Sequence, residues 1–296
     1  MSELLNKTAL ITGGGSGINL ELAKALRARG CGILIADITL KPEATVWLES
    51  IAREPGPQVI FQKTDVTLLH QLVELFDIFE RKLGGAPDIV VPGAGVHEGS
   101  GPGFWNDKEE ALNYGVLDIN MLHPIRMTRI SIRKMLEAKK PGTILHLSSI
   151  TAQKPSVVLP LYAVSKAAVS QFVRCMGPLE QMCGIRVVGV APGLVDTPLF
   201  RAHVGAQETV DLSADFFLPP EEVVKAMIAL LTDTKYVGGS ILEVGDIGSW
   251  REVRILGDIG PQGRSTLPRA KTVDATNRLS NFLLGEDSGL VKSSKL

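Results

Sequence analysis

A chain of 296 residues, 45% hydrophobic and 21% charged, can bury a substantial core and does not belong to the disordered class. Its formal net charge of −1 gives no long-range attraction to nucleic acid or to an anionic membrane, so neither is expected as a partner. Cys31, Cys175 and Cys183 lack metal-ligand spacing, which points to a reducing compartment, no metal site and no disulfide framework.

The opening MSELLNKTALITGGG lacks the basic-then-apolar pattern of a secretory signal, and no run reaches the roughly 20 apolar residues of a membrane span. The first strand is read at TALITG (8–13). A helix follows at NLELAKALRARG (19–30), with Leu20, Ala23, Leu26 and Ala28 on one apolar side and Gly30 stopping it. CGILIAD (31–37) is the second strand. After a polar linker come a strand at QVIFQKTDV (58–66), a helix around 68–83 and a strand at DIVVPGAG (88–95). A helix leads to Asn120 and runs on to about 138, before a strand at GTILHLSS (142–149). Residues 162–182 read as one helix, 184–193 as a strand, 220–232 as a helix and 239–244 as the last strand.

Apolar strands alternating with helices predict βαβ units and a parallel sheet covered on both faces. With right-handed crossovers the fold class is α/β, a single Rossmann-type doubly wound sheet. We read 1–249 as one domain, with 194–219 as a substrate lid after a strand's carboxyl end. Residues 250–296, where periodicity fades, form an extension, and its terminal Ser294-Lys295-Leu296 matches a peroxisomal import address. Localisation is therefore expected to be peroxisomal through the import receptor, or cytoplasmic if the signal is not used.

TGGGSGIN (12–19) joins the first strand to the first helix. Gly13 and Gly17 allow a tight turn close to a pyrophosphate, whose charge a helix N-terminus favours. Gly13, Gly15, Ser16, Gly17 and Ile18 are the candidate contacts there. Asp37 ends the second strand 20 residues after Gly17, where a carboxylate binds ribose hydroxyls and repels a 2′-phosphate. With no Arg or Lys in the loop or directly after Asp37, this pattern favours NAD over NADP. Asp65 and Val66, at the end of the third strand, are placed near the adenine edge. Gly93, Ala94 and Gly95 bring backbone close to the same ligand, or serve as plain turn residues.

Tyrosine is scarce, and one of only three, Tyr162 in LYAVSK, stands four residues before Lys166 on one helix face. A neighbouring ammonium stabilises a phenolate, which would make this tyrosine useful for proton transfer near neutral pH. Ser149 closes a strand 13 residues earlier. Singly, each has an ordinary explanation: tyrosines pack, lysines solvate and serines cap.

Together, TGGGSGI, Ser149 with YAVSK, and PGLVDTP (192–198) resemble the short-chain dehydrogenase/reductase family over nearly all of residues 5–248. The resemblance implies Tyr162 as general acid/base, Ser149 hydrogen-bonded to the substrate oxygen, and Lys166 lowering the Tyr162 pKa and holding the nicotinamide ribose. It implies that Asn120, in VLDINMLHP, supports a water-mediated relay to the lysine. It also sets Pro192, Gly193, Val195 and Thr197 along the nicotinamide, and implies a homodimer or homotetramer formed through helices like 110–138 and 162–182.

Within the family, LPPEEVVKAMIALLTD followed by YVGGSILEVGDIG looks most like the 15-hydroxyprostaglandin dehydrogenase group. That likeness implies oxidation of a secondary alcohol with NAD. Leu159, though, stands where the prostaglandin enzyme has a glutamine that fixes its substrate. Asn19 replaces the family's third glycine, tolerable if it caps the helix or faces outward and otherwise a threat to the pyrophosphate site. Pro92 and Gly93 replace the two asparagines of NNAG. His97 and Glu98 are placed at the active-site mouth or in an ordinary loop, and Phe200, Phe216, Phe217 and Leu218 form a substrate surface or core. Trp250 is assigned to tail docking or a subunit contact.

The function expected is interconversion of a lipid-like or polyketide-like secondary alcohol and its ketone. The alternatives are a carbonyl reductase consuming NADH or NADPH, and a degenerate cofactor-binding scaffold.

Overall fold

The computed structural model describes residues 3–98, 103–105, 113–154, 156–201, 214–254 and 269–284. Among them, eight strands form one sheet in the order β3-β2-β1-β4-β5-β6-β7-β8. These are β1 (Thr8–Thr12), β2 (Gly32–Asp37), β3 (Val59–Lys63), β4 (Ile89–Pro92), β5 (Gly142–Leu147), β6 (Ile185–Pro192), β7 (Ile241–Asp246) and β8 (Ser249–Glu252). All pairings are parallel except β7 with β8.

The central strands are apolar throughout because both faces are covered. Ala9, Ile11, Ile33 and Ile35 enter the core beneath α1 (Gly17–Arg27). Leu10, Leu34 and Ala36 point the other way, into the core shared with Phe76 and Phe79 of α3 (Leu69–Phe79) and Met127 of the helix His123–Glu137. An alternating strand buries every residue only between two such layers.

On α1 the buried stripe is Leu20, Leu22, Ala23 and Leu26, while Ala28, expected on that side, is the exposed C-cap. Gly30, at φ +95°, ends the segment as expected. The stretch read as a polar linker contains α2 (Pro42–Ile51), of which Ala44 alone is fully buried, so its period is faint. The lead into α4 (His123–Glu137) is a helical turn at Gly115–Leu117 and a π turn at Asp118–Leu122, which holds Asn120.

The helix expected over 162–182 is two, α5 (Pro160–Cys175) and α6 (Leu179–Cys183). They part at Gly177, where a Cβ would lie 2.9 Å from the carbonyl oxygen of Gly238, and at Pro178, which has no N–H for a continuing helix.

After β6 come α7 (Pro198–Arg201) and α8 (Pro220–Thr232), the latter packed on α1's side of the sheet. Residues 202–213 of the expected lid lie outside the described residues, and so does Ser294-Lys295-Leu296. The sheet continues past the last strand read from sequence: β8 pairs with β7, and Trp250 donates to the hydroxyl of Tyr236 at 2.9 Å, so this side chain docks within the chain. A further helix, α9 (Arg269–Leu284), reaches the α3–α4 side through Leu283. No helix among the described residues is long and apolar enough to cross a membrane.

Strand order reverses between β1 and β4, and the carboxyl ends of these two strands open a crevice.

Candidate active site

A cleft of about 960 Å³ occupies that crevice, running from the β1–α1 loop to α7. Gly13 lines it with φ +70°, and a Cβ there would lie 2.5 Å from Cα of Ala94, so only glycine lets the two loops meet. Gly17, at φ +57°, opens α1 against the Thr197 methyl, 3.2 Å from where a Cβ would stand. Ser16 and Ile18 complete this part of the wall. The Ser16 side chain does not cap α1, the Gly17 N–H reaches Oε1 of Glu43 at 3.5 Å, and the other N–H groups of the first turn suit an anion.

Gly15 does not line the cleft. Its N–H donates to Oδ2 of Asp37 at 2.9 Å, and a Cβ would lie 2.3 Å from the carbonyl oxygen of Thr39. It serves the site by drawing the loop onto Asp37. The Asp37 carboxylate also accepts from Thr39 N at 3.3 Å and lines the wall. Asp65 and Val66 line it further along, with Oδ1 of Asp65 accepting from the backbone and hydroxyl of Thr67.

Asn19 neither caps α1 nor faces outward. It is buried, and its Nδ2 donates to the carbonyl oxygens of Gly93 at 2.9 Å and Thr12 at 3.4 Å. The expected loosening is thus replaced by a tie between α1 and the end of β4. Thr12, which sequence reasoning passed over, is the hub beneath: its hydroxyl accepts from Gly93 N (3.0 Å) and Ala94 N (3.3 Å) and meets Nε2 of His123 at 3.1 Å. Gly93, Ala94 and Gly95 all line the cleft.

The opposite wall carries the polar side chains. Ser149 caps a 3-10 turn at Ile150–Ala152 by accepting from Thr151 N at 3.2 Å, and both its hydroxyl and the Tyr162 phenol line the cleft. Tyr162 and Lys166 are buried on α5, with Nζ 5.6 Å from the ring centroid. Burial pushes the Tyr162 phenol above its ordinary value, and the Ser149 hydroxyl pulls back. The sequence expectation of a lowered phenol is therefore reversed in the protein alone, because loss of water outweighs the aids to the phenolate. Burial also lowers Lys166 to about 8, while its Nζ donates to the carbonyl oxygen of Leu147 at 3.0 Å.

Asn120 stands behind the wall. Its amide exchanges two hydrogen bonds with the backbone of Val96, each 2.9 Å, and reaches Oγ of Ser165 at 3.4 Å. Pro192, Gly193, Val195 and Thr197 line the cleft, and Val195 bridges to Leu218. Of the four candidate apolar lid residues Phe200 alone lines it; Leu218 is core, Phe216 is exposed, and Phe217 meets the Phe200 ring edge-on at 6.1 Å. His97 lines the cleft between Tyr162 and Phe200, its ring 5.4 and 5.8 Å from theirs.

The residues fit a nicotinamide dinucleotide: an anion-binding loop, a carboxylate at the end of β2 and bare glycine backbone occupy one half of a cleft whose other half carries the phenol.

Residues 7–208 match the model of the short chain dehydrogenase family. The chain is 29% identical over 246 residues to cis-4-hydroxycyclohexanecarboxylate dehydrogenase of Sinomonas cyclohexanicum, spanning 80% of this chain and 94% of that one. It is 32% identical over 193 residues to galactitol 2-dehydrogenase of Agrobacterium fabrum, spanning 65% and 72%. The crystal structure of gox2181 superposes with a TM-score of 0.70 at 26% identity, covering 83% of this chain and 97% of that one.

Proposed function

The chain belongs to the short-chain dehydrogenase family, an oxidoreductase acting on CH–OH groups, and from that premise we propose an NAD-dependent interconversion of a secondary alcohol and its ketone, on a lipid-like or polyketide-like substrate. The observation that carries this reading is the buried Tyr162, in one cleft with Ser149 and with its ring centroid 5.6 Å from the Lys166 ammonium, on the wall opposite the glycine loop.

In oxidation, the Ser149 hydroxyl donates to the substrate oxygen while the Tyr162 phenolate accepts the substrate O–H and takes its proton. A nicotinamide cofactor, which Gly13, Ser16, Gly17, Ile18 and Asp37 would hold, would supply the hydride acceptor for the carbinol carbon. The Ser149 hydroxyl acts against the burial that keeps the phenol protonated, and by family resemblance the Lys166 ammonium does the same. Asn120 braces the Val96 backbone beside them, and by family resemblance steadies a water relay to Lys166. Reduction uses the same groups in reverse.

The Asp37 carboxylate supports NAD, since a 2′-phosphate would meet its charge and no Arg or Lys stands in the glycine loop or directly after Asp37. The basic residues near it are Lys63, its partner on β3, and Lys41, whose N–H donates to the Gly15 carbonyl. Ile150, Val158, Leu159, Leu194, Leu199 and Phe200 make the substrate end apolar. One relative is named for cis-4-hydroxycyclohexanecarboxylate, a ring alcohol that also carries a carboxylate. The likeness to the 15-hydroxyprostaglandin dehydrogenase group supports NAD-linked oxidation, and Leu159 on the wall turns the reading away from prostaglandin itself.

A degenerate scaffold would draw on the departures at Asn19, Pro92 and Gly93, and the bond from Asn19 to the Gly93 carbonyl weighs against it. Titration of the protein's fluorescence with NADH and NADPH, followed by a screen of secondary alcohols with NAD, tests the proposal. Binding of neither dinucleotide would return the scaffold to the lead. The same proposal includes a homo-oligomer, measured by light scattering, and peroxisomal import through Ser294-Lys295-Leu296, which should fail when these three residues are removed.

A further inference from the structure

The first turn of α5 has no cap of its own. Leu159 stands at the N-cap without a side-chain acceptor, and Pro160 follows with no N–H. Tyr162 is at the third helical position, where a backbone N–H has no partner within the helix. Glu98 supplies the acceptor from 64 residues away: its Oε2 takes the Tyr162 N–H at 2.8 Å. Its Oε1 accepts from Phe104 N at 3.4 Å, and the residue is only 6% exposed.

Burying a carboxylate is costly unless its oxygens are used. Here two backbone donors and the positive end of the α5 dipole offset the loss of water. The preceding residue holds the same tyrosine from its ring side. His97 lies 5.4 Å from the Tyr162 ring, and its Nδ1–H donates to the carbonyl oxygen of Glu98 at 2.7 Å. One dipeptide thus grips Tyr162 by backbone and by ring.

We propose that Glu98 is a positioning residue, which sets the place of the Tyr162 phenol relative to Ser149 and Lys166 by capping the turn that carries it. The proposal rests on the reading of Tyr162 as the proton-transfer group. A displacement of about 1 Å at such a group costs on the order of 100-fold in rate.

The experiment compares Glu98→Ala and Glu98→Gln in the full chain, because the amide oxygen of glutamine still accepts the Tyr162 N–H. Expected for Glu98→Ala is a fall in kcat of about 100-fold, with KM for NAD held within about twofold of wild type. Glu98→Gln should restore most of the rate, which a general loss of fold would not allow. Hydrogen exchange of the Tyr162 amide should quicken in Glu98→Ala alone, with the amides of β1 and β4 unchanged as the control for folding. Wild-type kcat in Glu98→Ala would overturn the proposal. If the wild-type chain turned over no secondary alcohol, the dehydrogenase reading would fail on its own, and unchanged Tyr162 exchange in Glu98→Ala would still overturn the cap.

Discussion

The amide of Asn19 fills the space that a side chain on Gly93 would need: a Cβ built on Gly93 lies 2.4 Å from Asn19 Nδ2 and 2.7 Å from its Cγ. The two departures from the family pattern are therefore one exchange, in which the amide sits on α1 instead of at the end of β4. Asn19→Gly should strip the Gly93 carbonyl of its donor and weaken NADH binding about tenfold, the worth of roughly one buried hydrogen bond. Gly93→Asn alone should lower Tm through the clash. The double variant should regain most of the affinity, with a coupling above roughly 1 kcal/mol. Additive losses in a fluorescence titration would show that the residues act separately.

Tyr162→Phe removes the phenolic oxygen and keeps the ring beside His97. Turnover should fall at least ~1,000-fold, within the range for loss of a general acid/base, while the NADH titration stays unchanged. Ser149→Ala should act in the same direction, because it removes the hydroxyl that opposes the raised phenol. Equal kcat in Tyr162→Phe would end the catalytic assignment.

On the proposed reading Asp37 has two tasks, since the carboxylate that would hold a ribose also receives the Gly15 N–H. Asp37→Ala should weaken NAD binding by about 10- to 100-fold, the loss of one or two charge-assisted hydrogen bonds. It should also narrow the preference over NADP. Asp37→Asn retains an acceptor for Gly15 and should lose preference more than affinity. If the preference for NAD survived both changes, its origin would lie elsewhere in the cleft.

The legible parts of this molecule were local. Strands buried on both faces read as apolar runs, the glycine loop lay between strand and helix, and Tyr162 and Lys166 shared a face by spacing alone. Less legible were elements with little burial: α2 hides only Ala44, and β8 leaves Ser249, Arg251 and Glu252 exposed. Pairings across long stretches of chain were invisible, as with Asn19 and Gly93, 74 residues apart. Glu98 left one usable trace, a helix beginning Leu-Pro without a capping side chain, which calls for an acceptor from another segment.

Acid should unfold the protein through two histidines behind the site. The Nδ1–H of His123 donates to the carbonyl oxygen of Ile119 at 3.1 Å, so its Nε2 is the acceptor for the Thr12 hydroxyl. Burial drives His123 down to about 4, with the Lys166 charge acting the same way. His146 falls to about 3 through burial, then the charges of His123 and Lys166. Its Nε2 meets the Thr128 hydroxyl at 3.0 Å, and its buried Nδ1 has no partner among the described residues. An unfolded histidine titrates near 6.5. Below that value the unfolded chain takes up protons that the folded chain refuses, so stability is lost as pH falls from 6.5 towards 4 for His123 and towards 3 for His146. At pH 5 the loss is roughly 2 kcal/mol per histidine. Denaturant melts at pH 7.5 and pH 5 should differ by about 4 kcal/mol, and His146→Gln should recover about half of that difference. Equal stability at the two pH values would mean that the buried rings accept protons without unfolding.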